Sequence, residues 1–88
     1  MKLLQFTAEW CQGCKTVEAA IERLKGEWNV PVAFERIDVA KEGGVATRYR
    51  VATLPTCIIV DDGGAEIARV SAALGYEELK EFIVEAVV

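Results

Sequence analysis

Histidine is absent from this sequence of 88 residues. It is the side chain that most often acts as an acid or base near neutral pH, and it is the commonest protein ligand of metal ions. Its absence excludes hydrolases that pair a histidine with a serine or cysteine nucleophile, and it excludes histidine-ligated zinc centres. Chemistry near pH 7 therefore depends on cysteine, carboxylate or lysine side chains.

Runs of basic residues are absent as well. Ten Lys and Arg residues are interspersed among fourteen Asp and Glu residues, and the formal net charge is −4. Because no basic stripe is present to neutralise phosphates, we expect no nucleic-acid partner. The composition, 52% hydrophobic and 27% charged, is that of an ordinary globular domain, so we expect neither a spanning segment nor a membrane partner.

Cysteine is scarce, because the chain contains three, an odd number and too few for a secreted mini-protein held by disulfides. The start, Met1 to Gln5, turns polar before the core of a signal peptide could form. Both observations favour a reducing cytoplasm. Linkers, repeats and low-complexity tracts are also missing, so we expect residues 1–88 to form a single domain. We also expect the protein to be a monomer.

The patterns that are present predict seven structural elements. Apolar or alternating runs at residues 3–6, 32–38, 56–60 and 66–70 predict four strands. Helical spacing predicts helices over residues 14–26 and from residue 76 onward, with a short helical turn over 43–49. An Asp-Asp-Gly-Gly run at 61–64 predicts a hairpin. The order βαβ-α-ββα predicts an α/β fold with a four-stranded mixed sheet flanked by three helices.

Two cysteines, Cys11 and Cys14, follow the first predicted strand and lie at the start of the first predicted helix. Free amide groups and the dipole at a helix N-terminus stabilise an anion, so the thiolate of Cys11 is favoured relative to a free thiol of pKa about 8.5. Cys14, one turn later on the apolar stripe, is expected to be more buried. The spacing lets the two sulfurs form a disulfide, so that Cys11 can attack a substrate disulfide and Cys14 can resolve the mixed disulfide.

Further short motifs are spread along the chain around this pair. They are Ala8-Glu9-Trp10-Cys11, Lys15, Tyr49-Arg50-Val51, Leu54-Pro55-Thr56, the turn at 61–64, and Leu79-Lys80-Glu81-Phe82. With these motifs the sequence resembles the thioredoxin family over nearly its whole length. The strand and helix that precede this core in full-length thioredoxins are missing, so the chain looks like a minimal thioredoxin of about glutaredoxin length.

The resemblance implies a thioredoxin-like fold and a thiol–disulfide oxidoreductase that reduces protein disulfides without a bound cofactor. Its catalytic residues would be Cys11 and Cys14. The substrate-binding residues would be Trp10, Gln12, Gly13, Leu54 and Pro55. Pro55 would be a cis-proline packed against the dithiol, and the backbone of Leu54 would bond to an extended substrate segment. The partners would be protein disulfides and an electron donor resembling thioredoxin reductase.

The sequence departs from the family pattern at three places. Gln12-Gly13 stands between the cysteines, where thioredoxins usually carry Gly-Pro, and this dipeptide tunes the redox potential across the family. Gln5 occupies the position of the family's buried aspartate beneath the second cysteine, and Phe34 that of its lysine partner. The redox potential and the direction of electron flow are therefore left open by the sequence.

Other functions remain open beside the reductase. Cys11 and Cys14 could form half of a zinc site, although the other ligands would have to be Cys57 and carboxylates. The fold could also serve as a non-catalytic binding or assembly module. A glutaredoxin-like enzyme, a disulfide oxidase or an isomerase would use the same residues at a different redox potential.

Two side chains have two interpretations each. Trp10 either packs as an ordinary aromatic residue or shields the dithiol and lines the substrate surface, and the local match to the family favours the second. Cys57 lies in an apolar run, which favours a small buried hydrophobe. Alternation nevertheless places it on the face of Pro55, from which it could approach Cys14.

The amide of Gln5 predicts that the step in which Cys14 resolves the mixed disulfide depends on pH. Because an amide cannot take up a proton, deprotonation of Cys14 has to rely on Glu9 or on water. We expect the step to be slow near neutral pH and to accelerate with alkali, as the thiolate fraction rises. Stopped-flow reduction from about pH 6 to about pH 9 measures this rate, and a flat profile over that range would contradict the prediction.

Overall fold

The structure, a computed structural model, describes residues 1–87. These residues form four strands and three helices in the predicted order. The strands are β1 (Lys2–Thr7), β2 (Ala33–Asp38), β3 (Thr56–Val60) and β4 (Glu66–Val70), and the helices are α1 (Gln12–Glu27), α2 (Gly43–Arg48) and α3 (Tyr76–Val87). None of the helices within residues 1–87 combines the length and the apolar character that a membrane span requires.

The four strands form one mixed sheet in the order β2-β1-β3-β4, which confirms the predicted fold class. β1 runs parallel to β2, as expected for two strands joined by a helix. It pairs antiparallel with β3, which pairs antiparallel with β4. β1 and β3 lie at the centre and are covered on both faces, so nearly all their residues are buried and most are apolar.

Alternation along the central strands divides the core between the two faces of the sheet. Leu3 packs with α1 and α3 on one face, whereas Leu4 and Phe6 pack toward α2 on the other. The core under α1 and α3 consists of Leu3, Val17, Ala20, Ile21, Leu24, Val32, Cys57, Ile59, Leu79 and Ile83. The core under α2 consists of Leu4, Phe6, Ile37, Ile58 and Val60. The molecule therefore has three layers, with the sheet between two layers of helix.

α1 forms because its apolar residues recur every three or four positions and because a side chain caps its first turn. Ile21 and Leu24 are among the residues that face the sheet. Cys11 is the N-cap residue, and its sulfur accepts the N–H of Cys14. At the other end, the N–H of Trp28 donates to the carbonyl of Leu24 at 2.9 Å. The two cysteines therefore lie at the positive end of the helix dipole.

The turn between β3 and β4 confirms the predicted hairpin. Oδ1 of Asp61 accepts the N–H groups of Gly63 and Ala65, both at 2.9 Å. Gly64 has a φ of +85°, a conformation that favours glycine. Because β4 runs back along β3, the chain that follows β4 returns to the end of the sheet at which β1 leads into α1.

Substitutions of two isoleucines in adjacent strands test which strand is buried in the core. Ile59 in β3 is fully buried, whereas Ile67 in β4 is 42% exposed. Replacing Ile59 by alanine removes buried apolar atoms and leaves a cavity, so we expect the free energy of unfolding to fall by about 2–5 kcal/mol. The matched control Ile67→Ala should lower it by at most about 1 kcal/mol. Urea denaturation measures both changes, and equal losses would contradict the assignment of β3 to the core.

Candidate active site

Cys11 and Cys14 are joined by a disulfide, with their Cα atoms 5.3 Å apart. Cys11 is 7% exposed and Cys14 is 1% exposed, which confirms that the second cysteine is the more buried. The sulfur of Cys11 accepts the backbone N–H of Cys14 at 3.1 Å. In the reduced protein, this N–H and the dipole of α1 would stabilise a thiolate on Cys11. The pair thus has one sulfur near the surface and one beneath it.

The end of β1 positions the dithiol. β1 leads into a tight turn, in which the N–H of Cys11 donates to the carbonyl of Ala8 at 3.1 Å. Ala8, Cys11 and Cys14 form a small buried cluster. Val39, after β2, and Leu54, before β3, pack against this cluster. Three separate segments of the chain therefore meet at the disulfide.

The peptide bond between Leu54 and Pro55 is cis, as the sequence predicted. Pro55 is buried, and its Cδ lies 3.1 Å from the point that a Cβ on Gly13 would occupy. The cis-proline therefore packs against Gly13, which lies between the two cysteines in the first turn of α1. Gln12, beside Gly13, is exposed.

Trp10 is 72% exposed and lies at one side of a cavity of about 410 Å³. The cavity is lined by Trp10, Val39, Ala46, Val51, Ala52, Thr53 and Leu54. The sequence had indicated Trp10 and Leu54 as surface for a substrate, but it had not indicated Val39, Ala46 or Val51. Val51 belongs to the motif Tyr49-Arg50-Val51, whereas no local pattern marks Val39 or Ala46. The three residues come from two loops and a short helix that meet only in the folded chain. An exposed aromatic ring beside an apolar cavity can bind an apolar side chain.

The thioredoxin family model matches residues 1–85. The chain belongs to the thioredoxin family. A thioredoxin from Staphylococcus epidermidis is 33% identical over 63 residues, which are 72% of this chain and 61% of that protein. Thioredoxin H7 from Arabidopsis thaliana is 37% identical over 79 residues, which are 90% of this chain and 60% of that protein. The chain thus spans about three fifths of the length of these relatives.

A solved structure of the thioredoxin from Fasciola hepatica is similar to the structure of this chain. The two superpose with a TM-score of 0.82 and are 32% identical in sequence. The similar region covers 96% of this chain and 78% of the Fasciola protein. This superposition confirms the thioredoxin-like fold of the chain.

Beneath the dithiol, the interior departs from what the thioredoxin family usually carries. Gln5 and Thr7 are both buried, and within residues 1–87 the Nε2 atom of Gln5 and the Oγ1 atom of Thr7 have no hydrogen-bond partner. Phe34 is half-buried and packs against the core under α1 and α3. Neither an amide nor an aromatic ring can take up the proton of Cys14.

Cys57 is free and fully buried in the core under α1 and α3. It lies directly opposite Gln5 in the register of β1 and β3. Burial raises the pKa of the Cys57 thiol to about 12. This environment fits a small packing residue, and within residues 1–87 no group of three or more Cys, Asp or Glu side chains is arranged to hold a metal ion.

Cys57 should resist alkylation as long as the protein is folded. Because burial raises its pKa to about 12, the thiol stays protonated at lower pH and offers no thiolate to a reagent. After reduction at about pH 8, we expect iodoacetamide to modify Cys11 first and to leave Cys57 unmodified until denaturant is added. Peptide mass spectrometry identifies the modified residues. Equal rates of Cys57 modification in folded and unfolded protein would contradict its burial.

Proposed function

We propose that this chain is a thiol–disulfide oxidoreductase that reduces protein disulfides. The observation that carries the proposal is the placement of one disulfide, Cys11–Cys14, at the N-terminus of α1 and beside the cis-proline Pro55. The two cysteines differ in exposure, since Cys11 is 7% exposed and Cys14 is 1% exposed. Membership of the thioredoxin family supports the same activity.

The reaction begins with the reduced dithiol. The thiolate of Cys11 attacks one sulfur of a substrate disulfide, that S–S bond breaks, and the other substrate sulfur leaves as a thiolate that takes a proton from water. Cys14 then loses its proton and attacks the sulfur of Cys11. The mixed disulfide breaks, the second substrate sulfur is released, and Cys11 and Cys14 end as a disulfide. Two electrons have passed from the dithiol to the substrate.

Burial divides the two roles between the cysteines. Cys14, at 1% exposed, is shielded from a protein substrate and is bonded to the sulfur of Cys11. Cys11 caps the helix, so the free N–H groups of the first turn favour its thiolate. We therefore assign attack to Cys11 and resolution to Cys14.

The substrate segment is proposed to lie across the surface formed by Trp10, Gln12, Gly13, Leu54 and Pro55. The exposed ring of Trp10 and the neighbouring apolar cavity support this placement, because an apolar side chain next to the substrate cysteine would lose its contact with water there. The backbone of Leu54 would bond to the extended segment. No bound cofactor takes part in this exchange.

The oxidised dithiol needs a donor of two electrons for each turnover. We propose a reductase that resembles thioredoxin reductase, acting on the same disulfide, and we place the protein in the reducing cytoplasm as a single-domain monomer. A reducing compartment is consistent with Cys57, which is free and needs no partner for the packing of the core.

Insulin reduction with dithiothreitol as the donor tests the proposal. We expect the wild-type chain to accelerate precipitation of the insulin B chain, and the variants Cys11→Ser and Cys14→Ser to fall to the rate of dithiothreitol alone, because each lacks one sulfur of the exchange. Cys57→Ala is the matched control and should retain the wild-type rate, since its thiol faces the core.

The same variants separate the alternatives. Cys14→Ser should trap a mixed disulfide with insulin through Cys11, because the resolving sulfur is missing. A wild-type chain without activity would point to a binding or assembly module instead of an enzyme. Activity that survives in Cys11→Ser would contradict the assignment of the attacking sulfur.

A further inference from the structure

The loop of residues 71–75, between β4 and α3, contacts the turn between the two cysteines. A Cβ built on Gly13 would lie 3.1 Å from the Cβ of Ala73 and 3.1 Å from the Cδ of Pro55. Both distances are shorter than an ordinary contact between carbon atoms, so a side chain at position 13 would have to displace a neighbour. A side chain at position 13 therefore requires two residues that are distant in sequence to shift by a few tenths of an ångström.

Gly26, in the last turns of the same helix, provides a comparison. A Cβ built on Gly26 would meet nothing within 4 Å. All seven glycines lie within residues 1–87, and Gly13 is the one at which an added Cβ would meet carbon atoms at 3.1 Å. Crowding at position 13 thus comes from the packing of the dithiol site and not from the helix.

A hydrogen-bond chain holds the same loop from its other side. The hydroxyl of Thr56 donates to the carbonyl of Thr53 at 2.8 Å. Because the single proton of that hydroxyl is used, Ser71 donates to Thr56 across the 2.8 Å that separates their oxygens. Thr56 directly follows Pro55, so Ser71 ties the loop to the cis-proline segment. The turn between the cysteines, the cis-proline segment and the loop 71–75 are therefore packed as one unit.

We propose that Ala73 is a positioning residue for the dithiol site, which packs over Gly13 and holds the loop 71–75 beside the surface on which a protein substrate lies. Because Ala73 and Pro55 crowd position 13, glycine is the residue that fits there without a shift of its neighbours, and the residues at positions 13 and 73 act as a pair. The inference rests on the proposed reduction of protein disulfides.

The pair can be tested with Gly13→Ala, Ala73→Gly and the double variant, with Gly26→Ala as the control. Each is assayed on insulin and on the small aromatic disulfide 5,5′-dithiobis(2-nitrobenzoate), which is too small to depend on the loop. We expect Gly13→Ala to lower kcat/KM for insulin about tenfold, mainly through KM, because the added methyl displaces the loop. Adding Ala73→Gly should recover part of this loss, because it removes one of the two opposing groups while the Cδ of Pro55 remains.

The controls distinguish a positioning role of Ala73 from an effect on the disulfide exchange itself and from an effect on folding. Gly26→Ala should keep wild-type kinetics on both substrates. Gly13→Ala should lose more activity on insulin than on the small disulfide, because only a protein substrate extends to the loop 71–75. Additive effects of the two substitutions, or an equal loss on both substrates, would overturn the inference. If the wild-type chain reduced neither disulfide, the proposed function would fail. In that case the denaturation midpoints of the same four chains would decide the pairing, since non-additive midpoints support the contact and additive midpoints refute it.

Discussion

The structure depends on the way the first turn of α1 is capped. A helix begins with N–H groups that have no partner inside the helix, and here the sulfur of Cys11 accepts one of them from Cys14. The atom that completes the helix is thus the sulfur to which we assign the attack on a substrate. Because α1 covers the centre of the sheet, the cap holds the disulfide where β1 ends. The stability of the helix and the reactivity of the cysteine share one origin, the polarity of the helix N-terminus.

The sheet order explains why other segments gather at this cap. β1 and β3 are adjacent and antiparallel, so the chain enters β3 beside the point at which it leaves β1, and Pro55 lies there. β2 runs parallel to β1 and ends at the same edge, which brings Val39 to the dithiol. The hairpin returns the chain from β4 to this edge with Ala73. Four connecting segments thus surround the disulfide. Of these, only the segment after β1, at the centre of the sheet, leads directly into it.

The interior beneath the cap combines ordinary apolar packing with a few buried polar side chains that carry no charge. Gln5 and Thr7 face the same layer as Cys14, and Cys57 lies opposite Gln5 with a thiol that burial keeps protonated. A charged group at such a position would have to be removed from water without a partner, which is costly. The chain avoids this cost by placing an amide there. The consequence is that position 5 supplies no carboxylate to accept a proton that leaves Cys14.

The sequence by itself determined the order of the elements, the asymmetric dithiol, the hairpin and the cis-proline, because each depends on a local pattern or on a motif of the family. It placed Gly13 between the cysteines and Pro55 against the dithiol, but only the tertiary structure showed that Ala73 lies beside Gly13. The cavity next to Trp10 and the position of Cys57 opposite Gln5 were likewise decided by strand order and register. Such contacts join residues that are distant along the chain. Local periodicity carries no information about them, because they form only when the layers pack.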